Sequence, residues 1–310
     1  QQSNLTSYGA TAMAIISLEV FAGMWINAFL VSVLCMGWFK KKTLNSNEKI
    51  LLLLGCSRFS YLCIVWIYSF LSIIYPNYLY VHPIFQLIIS TQDLLNLSDL
   101  CVSACLCIFY CIKIANFRNS FFIYLKVKID RIVPWLMLGS VLFSLVISIL
   151  IYNGIDKALC KNLNSTCQQC IWKASIRKEE YFFPIFFTIG MVYVSSFMAV
   201  IISALLLLFS LWRHKNNMQT NSMKDLSVDA HIRAMKSILS ILGIYSINFI
   251  FVILTLIYSM KDQINLLLLI NVFVYAFPGF HSLILIFSSP KLEKTMLRIL
   301  PCVMCKVCMR

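Results

Sequence analysis

Seven stretches of about 20 or more mostly apolar residues run through this chain of 310 residues, and they limit its fold more than any motif does. At about 1.5 Å rise per residue, one helix of that length crosses the hydrocarbon core of a bilayer. Seven spans of about 25 residues occupy roughly 175 positions and leave no room for a second globular domain. The charged fraction agrees: it is 12%, where a soluble domain carries about a quarter. The expected fold is an all-α membrane protein, a seven-transmembrane helix bundle forming one domain over residues 1–310. Soluble-enzyme and nucleic-acid-binding readings are excluded.

The spans read as about 8–38, 49–74, 84–112, 132–152, 181–212, 237–259 and 264–287, with a basic tail over 289–310. No basic region or small-residue cleavage site follows Gln1, so the first span is expected to direct insertion. An odd number of spans puts the two ends on opposite sides. Nineteen Lys and Arg fall in the first, third and fifth connections and the tail, against six in the N-terminal stretch and the other connections. Cationic loops stay in the cytoplasm, which makes the N-terminus extracellular and the C-terminus cytoplasmic. Glycosylation sequons give an independent check. Asn4-Leu5-Thr6 and Asn164-Ser165-Thr166 both lie on the external side. Asn96-Leu97-Ser98 also matches, but it sits inside a span where the glycosylation machinery cannot reach it.

Four charges lie at membrane depth: Glu19, Arg58, Asp93 and Asp99. Each costs about 2.5–3.5 kcal/mol on insertion scales, so each needs a partner or a function. Arg58 is roughly 13 Å above the inner end of its span. Asp99 is near the middle of the third, within reach of an arginine side chain, and the two are expected to form a buried pair. Nearer the outer surface, Gln92, Asp93 and Asn96 cluster on the third span, and Gln92 and Asn96 share a helix face. With Asn271 on the seventh span, and Glu19 on the first, they are expected to line a cavity open to the outside. Ligand pockets in helix bundles have this character, apolar with a few placed polar groups.

Most of the 13 cysteines lie inside spans (Cys35, Cys56, Cys63, Cys101, Cys105, Cys107, Cys111), where a thiol is a small hydrophobe. Cys160, Cys167 and Cys170 share the long external connection, where one disulfide is expected but its pairing is open. Cys302, Cys305 and Cys308 stand among basic tail residues, a setting for S-palmitoylation. His214 and His231 lie in a cytoplasmic segment, and His281 is alone in its span, so no metal or cofactor is expected. No nucleophile elbow, P-loop, HExxH motif or phosphate cradle appears, which argues against an enzyme. The internal repeat of many transporters is missing as well. The pattern suits a receptor that signals inward.

Specific motifs then carry a resemblance. Span two reads Leu53-Leu54-Gly55-Cys56-Ser57-Arg58-Phe59 with Trp66 beyond. Span three ends Cys105-Leu106-Cys107-Ile108-Phe109-Tyr110-Cys111-Ile112-Lys113-Ile114-Ala115-Asn116-Phe117. Span five ends Phe209-Ser210-Leu211-Trp212-Arg213-His214 and continues to Met218-Gln219. Span six opens Ala230-His231-Ile232-Arg233-Ala234-Met235-Lys236, and span seven closes His281-Ser282-Leu283-Ile284-Leu285-Ile286 with Pro290-Lys291-Leu292. Over nearly its whole length the chain resembles the type 2, or bitter, taste receptors, a family of G-protein-coupled receptors.

The resemblance implies a multi-pass plasma-membrane receptor that detects small bitter-type agonists and activates a heterotrimeric, gustducin-like G protein. It implies a receptor core of Asn27, Arg58, Asp99 and His281, an agonist pocket including Asn96 and, nearby, Asn271, and a glycan at Asn164. Lys113, Arg213, Arg233 and Lys236, at the cytoplasmic ends of spans three, five and six, are expected to contact the G protein. The chain departs from the family pattern in places. Gln92 stands where relatives often have tryptophan, which makes the pocket more polar. A Trp-Phe-Ala-Thr run reads Cys101-Val102-Ser103-Ala104, and a Pro-Phe pair reads Ser196-Phe197. The rival readings are a vomeronasal-type pheromone receptor, which the Ser-Arg and Lys-Ile-Ala-Asn motifs oppose, and a small-solute transporter.

Overall fold

The computed structural model describes residues 2–79, 81, 83–115, 119–160, 178–219, 225–259 and 264–298. Among them there is no strand. The helices are α1 (Gln2–Lys41), α2 (Ser46–Ile74), the one-turn α3 (Pro76–Leu79), α4 (Ile84–Ile114), α5 (Ser120–Cys160), α6 (Lys178–Gln219), α7 (Asp225–Ser259) and α8 (Ile264–Ser288). A further helix, α9, covers 290–298. Seven of them contain stretches long and apolar enough to cross a membrane, from Gly9–Lys41 in α1 to Leu269–Ser288 in α8. The seven-span bundle expected from the sequence is the architecture found.

Local chemistry sets the helix ends. Lys42 ends α1 in the left-handed region (φ 56°), and its N–H donates to the Trp38 carbonyl at 2.7 Å, a helix-closing turn that usually takes glycine. At the start of α2, the Asn45 N–H donates to the Glu48 carboxylate at 3.2 Å. That carboxylate also accepts from Lys291 Nζ of α9 at 2.9 Å. Glu48 thus ties the start of α2 to the helix that follows α8.

Two helices begin twelve residues before the sequence reading: α7 at Asp225, not near residue 237, and the helix of the fourth span at Ser120, not near residue 132. In each, twelve residues read as a polar connection are helical. For the fourth span two causes are visible. The Asn119 side-chain oxygen accepts the Phe121 N–H at 2.9 Å, an N-cap. Phe122, Leu125 and Ile129 then recur at helical spacing on the packed face, while Lys128, Asp130 and Arg131 point outwards. The charges belong to the outer face of an amphipathic extension.

The bundle has its polarity arranged for a lipid solvent. Leu142, Val146, Ile149, Leu205 and Ile250 are exposed, while Asn27, Arg58, Asp99, His281 and Ser282 are buried. With no water to compete, close packing of small residues holds such helices together. The crossing of α1 and α8 shows this: a Cβ on Gly279 would sit 3.2 Å from the Gly23 Cα.

Candidate functional site

At the centre of the bundle the Arg58 side chain is fully buried. Its Nε donates to Asp99 Oδ1 at 2.6 Å. Nη1 donates to Ser282 Oγ at 2.9 Å and Nη2 to Ser103 Oγ at 3.1 Å. Nη2 also lies 2.6 Å from His281 Nδ1. Guanidinium has no acceptor, so that imidazole nitrogen accepts and the ring proton belongs on Nε2. Ser282 Oγ passes the chain on, donating to Asn27 Oδ1 at 2.7 Å, and Asn27 Nδ2 donates to the Gly23 carbonyl at 2.8 Å. One cation therefore joins α1, α2, α4 and α8. Tyr245 of α7 packs edge-on against the His281 ring, 4.9 Å between centroids.

Helix spacing explains why this network forms. Asp99 and Ser103 are four apart and share one face of α4, with Asn96 one turn before them. A cavity of about 10 Å³ lies against the network, with Arg58, Asp99, Asn96 and Asn248 as its polar walls and Tyr61 and Phe277 among the others. That volume suits about one water molecule. Pro278 also borders it, together with Val274. Proline has no N–H to give the carbonyl four residues back, so the α8 ladder is interrupted beside the cavity.

One turn towards the start of α4, Asn96 Nδ2 donates to the hydroxyl of Tyr193 on α6. Gln92 lies against the hydroxyls of Tyr61 and Tyr275, from α2 and α8, and its Oε1 is buried with no hydrogen-bond partner among the described residues. Asp93 lies within electrostatic reach of Tyr61 and Tyr193. Of the pocket residues read from the sequence, Asn96 borders the cavity; Gln92, Asp93 and Asn271 do not. Asn271 is half-buried one turn before Tyr275 on α8 and makes no hydrogen bond among the described residues. Glu19 Oε2 on α1 is buried and has no hydrogen-bond partner among the described residues.

The remaining candidates are dispersed. Lys113 Nζ meets Asp130 Oδ2 at 2.5 Å on an exposed surface, and Arg213 is exposed at the far end of α6. Arg233 and Lys236 lie on α7 and Asn4 on α1, but their side chains are outside the described residues. Asn164, Cys167, Cys170, Cys302, Cys305 and Cys308 lie outside them altogether, as does the Cys160 side chain. The seven span cysteines carry free thiols. Among the described residues no three His, Cys, Asp or Glu side chains are grouped to hold a metal.

Several participants carry no mark in the sequence. Ser103, Ser282, Tyr61, Tyr193, Tyr245 and Tyr275 are residue types common inside membrane helices. Asn248 is different: it is an amide at membrane depth, the same signal that singled out Asn271.

Seven helices long and apolar enough to cross a membrane, packed around a buried polar core, define a helical membrane protein. The profile of the taste receptor protein (TAS2R) family matches residues 5–304. Taste receptor type 2 member 9 of Papio hamadryas is 32% identical over 295 residues, covering 94% of this chain and 93% of the relative. The Homo sapiens member 9 is 31% identical over 300 residues, covering 96% and 95%. Taste receptor type 2 member 7 of Papio hamadryas is 30% identical over 298 residues, covering 92% and 91%. The chain belongs to the type 2 taste receptor family; it is a multi-pass membrane receptor of the bitter-taste kind and not an enzyme.

Proposed function

We propose that a pocket between α2, α4, α6, α7 and α8, entered from the Ile84 end of α4, binds a small-molecule agonist and that binding activates a gustducin-like heterotrimeric G protein. One observation carries the reading. Asn96 joins α4 to α6 through Tyr193 and borders the cavity that Arg58 and Asp99 also line. A ligand that competes for the Asn96 amide therefore acts on the network that ties α1, α2, α4 and α8. A bundle with two packings responds only to a ligand that binds one of them better.

The G protein is proposed at the opposite end, which the excess of Lys and Arg makes the cytoplasmic one in the plasma membrane. There an apolar cluster of Ala115, Leu207 and Leu211, packed by Tyr110, Phe122 and Ile238, joins the ends of α4 and α6 to α5 and α7. A shift between α4 and α6 at Tyr193 is transmitted to this cluster by rigid helices. Lys113, Arg213, Arg233 and Lys236 are the basic contacts proposed around it. Asn4 and Asn164 are the proposed glycan acceptors on the other side.

Calcium imaging of the full chain, expressed with a gustducin-tailed chimeric G protein, tests this against a panel of bitter compounds. The expected result is a dose-dependent response that requires the chimera and weakens in Asn96→Ala at matched surface expression. Silence across the panel from receptor proven to be at the surface overturns the agonist reading.

A further inference from the structure

We infer that the outer face of α5, where the helix leaves the bilayer at its Ser120 end, holds the headgroup of an anionic phospholipid on Lys128 and Arg131. The inference goes beyond the agonist reading and shares with it only the orientation that the Lys and Arg excess gives, which makes this the cytoplasmic leaflet. Tyr124, Lys128, Arg131 and Trp135 are spaced at i, i+4, i+7 and i+11, so they form one stripe along the helix. All four are exposed, and Leu138 and Leu142 continue the stripe, also exposed. At the far end, Asp156 follows Ile155 and closes the apolar stretch. Counted back from there, about 20 residues cover the roughly 30 Å of hydrocarbon and reach Trp135. Trp and Tyr mark such boundaries. Arg131 then stands about 6 Å beyond the hydrocarbon and Lys128 about 10 Å, within side-chain reach of the headgroups.

Contacts on the opposite side of the helix fix this stripe outwards. Pro134 has no N–H to give the Asp130 carbonyl, and Ser46 Oγ of α2 donates to that oxygen at 3.4 Å instead. The Asp130 carboxylate takes Lys113 of α4, and Lys126 Nζ donates to the Ala115 carbonyl at 3.2 Å. Ile129 and Val133 are buried behind them. Lys113 and Lys126 are thus engaged within the protein, whereas Lys128 and Arg131 meet no carboxylate among the described residues. Lys128 is held in place even so: its Nζ donates to the Tyr124 hydroxyl at 2.7 Å and lies 4.4 Å from the ring centroid. Two cations about one turn apart, directly above a lipid-facing row of leucines, complement a ligand with a negative head and apolar tails. Free phosphate would match the charges and leave the leucine row unused.

Native mass spectrometry of the detergent-purified full chain tests this by counting bound lipid during separate titrations with phosphatidylglycerol and phosphatidylcholine of the same acyl chains. The first phosphatidylglycerol is expected to bind about tenfold more tightly than phosphatidylcholine, as two cations near an anionic headgroup predict. Lys128→Gln/Arg131→Gln is expected to remove that preference and leave phosphatidylcholine within about twofold. Lys128→Arg/Arg131→Lys is expected to keep it. Both residues are exposed, so these variants are expected to keep the thermal midpoint. Lys40→Gln/Lys294→Gln removes two exposed cations from α1 and α9 at the same end and is expected to keep the preference. Equal affinity for the two lipids, or an undiminished preference in Lys128→Gln/Arg131→Gln, overturns the proposal. An equal loss in Lys40→Gln/Lys294→Gln does so too, because diffuse positive charge then explains the binding. Displacement of the lipid by glycerol 1-phosphate at equal concentration overturns the lipid as occupant. Neither agonist nor G protein enters the assay, so its outcome is independent of the agonist reading.

Discussion

Replacing Asp99 by asparagine removes the one carboxylate that Arg58 touches among the described residues, and the consequence can be worked from the contacts. Arg58 would keep Ser103, Ser282 and His281 as neutral acceptors, so its hydrogen bonds survive largely intact while its charge loses compensation. Breaking one side of a buried pair costs about 3–5 kcal/mol, because the remaining ion stays out of water. Arg58 is fully buried, so solvent screening offers no discount. Arg58→Met strands Asp99 in the same way. At about 2–3 °C per kcal/mol for a chain of this size, each single variant should lose about 6–15 °C in thermal midpoint. The double variant Arg58→Met/Asp99→Asn contains neither ion and should fall within about 2 kcal/mol of the parent. The assay is thermal unfolding of detergent-solubilised receptor with a thiol-reactive fluorophore. Cys107 and Cys111 of α4 are half-buried and buried and become reactive as the bundle opens. A double variant that loses as much as the two single losses added together would refute the coupling, since independent sites add.

Gly279→Ala should cost about 1–3 kcal/mol, because its methyl meets Gly23 backbone at the α1–α8 crossing; Gly139→Ala, with nothing within 4 Å, should not destabilise, and the same unfolding assay compares them. Glu48→Ala should lose about 1 kcal/mol, removing a helix-capping acceptor and an exposed ion pair together; a Lys291→Ala control isolates the ion pair. Tyr193→Phe should cost about 1–3 kcal/mol by leaving the Asn96 amide without its acceptor; unfolding midpoints of Tyr193→Phe and Asn96→Ala, alone and together, should reveal the coupling, and strictly additive losses would count against it.

How much of the site was legible follows from the cost of each group in lipid. Arg58, Asp93, Asp99 and Glu19 stand out because a charge at membrane depth is expensive enough to demand an explanation. Even the Arg58–Asp99 pairing can be read, since helix rise fixes their depths. Serine and tyrosine carry no such penalty, so Ser103, Ser282, Tyr193 and Tyr245 are silent until neighbouring helices bring them to the arginine. The early start of α5 was hidden for a related reason. Lys126, Lys128, Asp130 and Arg131 lower the hydropathy of the segment that Asn119 caps and that Phe122, Leu125 and Ile129 pack, and an average over residues does not see which face they take.

The sequence by itself determined that this chain crosses a membrane seven times, because apolar length and backbone hydrogen bonding leave a 20-residue run in lipid no alternative to helix. Its motifs were enough to mark the receptor family. Only the tertiary structure decided which polar groups meet: that Asp99 is spent on Arg58 while Asp93, six residues earlier on the same helix, pairs with no Lys, Arg or His among the described residues. Residues six apart on a helix lie on different faces, and what each face meets depends on the rotation of α4 against α2 and α6, which side-chain packing sets and no local periodicity encodes.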